Sequence, residues 1–152
     1  MTKQYPAHPY PLSDLIDRLS IDILKSVFII QHRKEYKQEI NDILFDIEHI
    51  CKEKKVQLTS DIVYAILCIA LTNREIWLNE SKARQGGTEQ DQNLAFTHSC
   101  NGLRNSSKNL IAQKIGDRKD LKLDCLAERF LTENFTAKYG NWDIFEGVEF
   151  PK

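Results

Sequence analysis

Apolar residues return every three or four positions in block after block of this chain, and that period admits few folds other than packed helices. Leu12, Leu15, Ile16, Leu19, Ile23, Val27 and Ile30 form one such stripe, which predicts a helix over roughly 14–31 with Ser13 as its N-cap. Ile40, Ile43, Leu44, Ile47, Ile50 and Cys51 repeat the pattern in a strongly charged background and predict a second helix ending near Lys55. A third, capped by Thr59 or Ser60, carries Ile62, Ile66, Ile69, Ile76 and Trp77 and should stop by Gln85-Gly86-Gly87. A fourth runs from near Gln90 to Ile115, where Gly116 suits a left-handed C-cap, and a fifth, shorter one spans about 121–138. No segment alternates as a strand does.

The fold class that follows is all-α: an antiparallel bundle of four long helices, a shorter C-terminal helix and an aromatic tail, joined by short connections that favour antiparallel neighbours. At 152 residues the chain is the size of one domain, so 1–152 is read as a single unit with an arm over 1–12 and a tail over 139–152. The arm follows from Tyr5-Pro6-Ala7-His8-Pro9-Tyr10-Pro11, whose prolines remove donors and extend their predecessors. Trp142, Phe145 and Phe150 make the tail too aromatic for a solvated linker, and it should pack on this domain or on a neighbour.

A formal charge of −1 with 28% charged residues provides no global field toward nucleic acid, so nucleic acid is not an expected partner and any basic site must be local. The longest apolar run, Ile62 to Leu71, is too short to cross a bilayer, and no membrane association is expected. Cys51, Cys68, Cys100 and Cys125 form no C-x-x-C pair and the chain opens on polar residues, which points to reduced thiols in the cytoplasm.

The segment Thr97-His98-Ser99-Cys100-Asn101-Gly102-Leu103-Arg104-Asn105-Ser106-Ser107-Lys108-Asn109 is the richest in chemistry. At 3.6 residues per turn His98, Asn101, Asn105 and Asn109 share one stripe, roughly opposite Phe96, Leu103, Leu110 and Ile111. A merely wet face would ordinarily carry Glu, Lys or Gln, because Asn costs about 0.5 kcal/mol relative to Ala in a helix interior. Arg104 and Lys108 flank the stripe, and Lys114, Arg118, Lys119 and Lys122 follow in the one locally basic region. Such groups suit phosphate or carboxylate, and equally suit a charged helix C-terminus. In the third helix Asn73 and Glu80 share the sector of Ile62, Ile66 and Trp77; both are expected buried and hydrogen-bonded, with Arg84, Arg18 or Lys25 as partners.

Leu15-Ile16-Asp17-Arg18-Leu19-Ser20, Thr72-Asn73-Arg74-Glu75-Ile76-Trp77 and Thr97 to Asn105 together resemble a group of small helical bacterial and phage proteins of unassigned activity. The resemblance implies that these patches meet in one site.

These residues lead to three functional expectations. In the first, Arg18, Asn73, Glu80, His98, Asn101, Arg104, Asn105 and Lys108 line a polar, basic cleft for an anionic small molecule such as a nucleotide or phosphorylated metabolite, with no cofactor and no metal among the ligands. In the second, the protein is an interaction or oligomeric scaffold, a homo-oligomer included, that uses helix four and the tail with Trp142, Phe145 and Phe150 as anchors. In the third it is a Mg²⁺-dependent hydrolase, with His98 or Glu80 as acid or base and the acidic stripe Glu35, Glu39, Asp42, Asp46 and Glu53 as metal site. Zinc spacing, a P-loop, a dinucleotide fingerprint and paired Glu-x-x-His motifs are all absent from the sequence.

Overall fold

The computed structural model describes residues 10–87, 90–117 and 133–152. Four long helices, α1 (Leu12–Phe28), α2 (Arg33–Lys54), α3 (Ser60–Gln85) and α4 (Gln90–Ile115), are followed by a short α5 (Glu133–Tyr139), with one 3-10 turn at Ile30–His32. Among the described residues there is no strand. Of the expected fifth helix only Glu133–Tyr139 falls within the described residues; 118–132, with Arg118, Lys119 and Lys122, lies outside them.

The helix ends follow from local chemistry. Lys55 adopts φ 52° and sends its amide back to the carbonyls of Cys51 and Lys52, which ends α2, and Gly116 at φ +78° ends α4 where a side chain would be strained. Ser13 is not the cap of α1. The helix starts at Leu12 behind Pro11, and the Leu12 N–H donates to the Asp117 carboxylate at 3.4 Å. Asp117 also pairs with Lys54, so a residue distant in sequence takes over the capping role and Ser13 is left buried inside.

Consecutive helices run antiparallel. Leu12 and Leu15, at the start of α1, pack with Ile43 and Ile50 of α2, and Ile16, Leu19, Ile47 and Val56 close over them. Ala65 and Ile69 of α3 meet Ile111 of α4, and further along Ile76 meets Phe96 and Cys100. α1 lies against all three other long helices, α3 and α4 share the most extensive contact, and α2 rests chiefly on α1. The tail folds back on this same unit. Trp142 sits edge-on to Phe96 at 5.3 Å, while Phe145 and Phe150 both pack on Tyr64, whose hydroxyl donates to the Ile144 carbonyl.

One ion pair ties the start of α3 to the end of α4. The buried Asp61 accepts from Lys114 Nζ at 2.8 Å, from the Thr59 hydroxyl and from the Ile62 amide, and these donors hold its carboxyl down at about 2 against a burial effect that opposes them. A depressed carboxylate stabilises the fold in full above its ordinary value of 3.8, and that contribution is lost as pH falls through about 2. Asp61→Asn should therefore flatten the decline in melting temperature between about pH 4 and 2, measured against the parent chain in the same buffers. A parallel decline in both proteins would show that another group sets the acid limb.

Candidate functional site

Where α1, α3 and α4 face one another, the apolar core gives way to a polar cluster. α1 presents Ser13, Asp17 and Ser20 at i, i+4 and i+7, a second face beside its apolar stripe. Asn73 projects from the middle of α3, one turn past Ile69, and donates through Nδ2 to Asp17 at 2.7 Å and to the Ser20 hydroxyl at 3.3 Å. Its other end accepts from Arg104 Nη1 of α4 at 3.2 Å. Lys108, one turn on, pairs with Asp14 at 2.7 Å and stands 3.8 Å from Asp17. Arg104 Nε approaches Asp17 to 4.0 Å, and that nitrogen is buried without a hydrogen-bond partner.

Two carboxylates face two cations, so the cluster is close to neutral. It is built as an inter-helix bridge: one amide satisfied at both ends, one carboxylate serving three helices. Buried networks of this kind set helix register more than they add net stability, because desolvation offsets most of the ionic attraction.

Of the eight residues expected to line a cleft, the structure brings three together, Asn73, Arg104 and Lys108. Asn101 and Asn105 are half-buried on the neighbouring flank of α4. His98 is exposed. Arg18 is exposed too, and lies over the Tyr10 ring at 5.4 Å. Glu80 corrects the expectation of a buried carboxylate: it is exposed and only 3.9 Å from Arg84 on its own helix. The angular argument for Glu80 is sound, but α1 ends at Phe28, which stacks on Trp77, and Glu80 lies beyond the end of that helix. Of the two placements expected for the tail, packing on this domain is the one seen: Trp142, Phe145 and Phe150 are half-buried against α3 and α4.

Asp14, Asp17 and Ser20 are site members that were not among the eight residues expected to line the cleft, although Asp17 and Ser20 belong to the first of the three patches expected to meet. The signal was there: small polar residues at 13, 17 and 20 repeat with helical period, and a merely solvated face rarely uses two serines where better helix formers serve.

Two pockets, of about 240 and 310 Å³, lie at opposite ends of α3. The first is lined by Lys54, Lys55 and Lys114 and the second by Glu75, Asn79, Asn93 and Tyr139; neither includes Arg104 or Lys108. Cys51, Cys68 and Cys100 are free thiols, and burial pushes Cys100 up to about 12, helped by the nearby Glu75 charge. A thiol so placed is a packing residue, not a nucleophile at neutral pH. Among the described residues no three His, Cys, Asp or Glu side chains converge as a metal site, and Glu35, Glu39, Asp42 and Glu53 of α2 are exposed. Nor is any described helix long and apolar enough to cross a membrane.

No family model, curated protein or solved structure matches this chain.

Proposed function

We propose that this protein is an interaction module, a small helical scaffold whose working surface is an apolar face shared by α1, α2 and α3. The observation that carries this reading is the exposure of large aliphatic side chains on all three helices. Ile23 and Val27 of α1 are 48% and 59% exposed, Leu44 of α2 is 48%, and Val63, Leu67 and Leu71 of α3 are 39%, 62% and 46%. Scattered apolar residues need no explanation, but three in a row at i, i+4 and i+8 on one helix face, Val63, Leu67 and Leu71, do, because monomeric proteins rarely leave such a row uncovered. The polar cluster, neutral and internal, then holds α1, α3 and α4 in the register that presents this face.

A photo-cross-linking residue placed at position 67 should yield protein-mass adducts in the expressing cell, while the same residue at the exposed Glu53 of α2 should yield few. Equal labelling at the two positions, or none at 67, would remove the reading.

A second reading is supported by one atom. Arg104 Nε, buried and without an acceptor, is the donor that an anionic nucleotide or phosphorylated metabolite would satisfy, with the half-buried amides of Asn101 and Asn105 beside it. It ranks below the first because Asp14 and Asp17 already neutralise the two cations and would repel such a ligand. Its test is a thermal-shift screen of nucleotides and sugar phosphates with and without Mg²⁺. A ligand at a hundred times its Kd should stabilise by about 2.7 kcal/mol, and Arg104→Ala should abolish that gain.

A further inference from the structure

We infer that the pocket of about 310 Å³ enclosed by the C-terminal half of α3, the first turns of α4 and α5 binds a small zwitterion, an α-amino acid with an apolar side chain. None of the exposed aliphatic side chains of the interaction reading lines this pocket, and the inference goes beyond that reading.

Two buried amides in its wall each have one end tied and one end open. Asn79, 3% exposed, donates through Nδ2 to the Glu75 carbonyl at 2.7 Å and to the Glu75 carboxylate at 3.5 Å. Both partners are acceptors, which fixes the orientation of the amide and leaves Oδ1 as its open end. Asn93, 7% exposed, accepts the Tyr139 hydroxyl on Oδ1 at 2.8 Å, and its Nδ2 meets no partner among the described residues. Neither open end is sealed inside protein, so both meet the pocket that their residues line. Polar groups this deep are ordinarily hydrogen-bonded. A ligand that donates to Asn79 and accepts from Asn93 completes both amides.

Charge sorts the two sides of the pocket. The Glu75 carboxylate lies beside the Asn79 amide, and together with Oδ1 it makes a seat for an ammonium group. Arg74 approaches Glu75 to 3.7 Å, but it is 55% exposed and such a pair holds the carboxylate weakly. On the other side, Lys82 has no ion-pair partner among the described residues, and Lys138 of α5, which donates to Gln92 at 3.2 Å, brings a second cation. With Asn93 Nδ2 these cations suit a carboxylate. Phe96 and Tyr139, stacked at 4.6 Å, supply an apolar wall for a side chain. A phosphorylated ligand would meet Glu75 with like charge. The volume, at the lower bound of about 300 Å³ for small-molecule sites, also leaves little room for a nucleotide.

The test is isothermal titration calorimetry of the full chain with L-leucine, L-methionine and L-phenylalanine. At least one should bind with a Kd below about 1 mM. Its deaminated and decarboxylated analogues, isocaproate and isoamylamine for leucine, should each bind about tenfold more weakly, because each leaves one side of the pocket unanswered. Lys82→Gln changes an exposed side chain, so helix content by circular dichroism should hold while amino-acid affinity falls about threefold or more. Asn93→Asp keeps the acceptor for Tyr139 but sets a carboxylate against that of the ligand, and should weaken binding about thirtyfold. Glu75→Gln keeps the acceptor for Asn79 and should weaken the amino acid about tenfold while leaving the deaminated analogue no weaker; it replaces Asn93→Asp in the test if that variant loses helix. A Kd above the limit for all three amino acids overturns the inference, and so does an affinity that survives both Lys82→Gln and the second variant. A deaminated analogue that binds as tightly as its amino acid overturns the ammonium seat, and with it the zwitterion.

Discussion

Replacing Asp17 with alanine should lower the unfolding free energy by about 3 kcal/mol or more, an effect of the size seen when one member of a buried ionic network is removed. One hydrogen bond and two ionic contacts are lost together. The Asn73 amide keeps only the longer bond to Ser20, Arg104 loses its nearest carboxylate, and Lys108 is left with Asp14. Asp14 is too exposed to compensate fully, at 40% against 12% for Asp17. The larger part of the loss is a penalty for the stranded cation and amide rather than the net worth of the bonds. The diagnostic measurement is therefore a double-mutant cycle with Arg104→Met, read by urea denaturation. If the penalty lies in stranded charge, Asp17→Leu combined with Arg104→Met should be milder than the sum of the single changes by 1 kcal/mol or more, roughly. Strict additivity would mean that the two side chains do not share a network.

An effect of similar size, about 3 to 5 kcal/mol, is expected for Phe96→Ala. Phe96 is 2% exposed and stands where three elements meet. Tyr139 of α5 stacks on it with ring centres 4.6 Å apart, Trp142 of the tail meets it edge-on, and Ile76 packs from α3. Removing the ring opens a cavity and also deprives α5 and the tail of their seat on α4. Two readouts should then move together. Denaturation midpoint falls, and emission from Trp142 shifts to the red as its indole, which now donates to the Tyr139 carbonyl, gains water. Phe28→Ala is a useful control, since Phe28 is 51% exposed and stacks on Trp77 with ring centres 6.0 Å apart. A loss at Phe96 no larger than that at Phe28 would show that the tail is not anchored there.

The architecture was legible in the sequence to a degree that the site was not. Periodicity is a local property: residues three and four apart share a face whatever lies opposite, and α2, α3 and α4 end where Lys55, Gly86 and Gly116 said they would. Side chains on one helical sector are equivalent in sequence, however, and become different only when a neighbour covers some of them. Asn73 and Glu80 occupy the same sector of α3, yet Asn73 is buried because α1 lies opposite and Glu80 is wet because α1 has ended. The stripe of α1 behaves alike: Leu12 and Leu15 are core, while Ile23 and Val27, in the same repeat, are left open.

Arg104 and Lys108 carry the same lesson for function. Read along α4 they are cations beside a row of amides, free for an anion; in three dimensions Asp14 and Asp17 arrive from a helix some ninety positions earlier and take up their charge. The four long helices, the ends of α2, α3 and α4 and the apolar stripes were thus determined by the sequence alone, because hydrogen bonding and helical period act within a few residues, whereas the start of α1 depends on Asp117. Which cation is neutralised, which carboxylate is buried and which apolar stripe stays uncovered were decided by tertiary structure, because each depends on the helix that stands opposite and on where that helix stops.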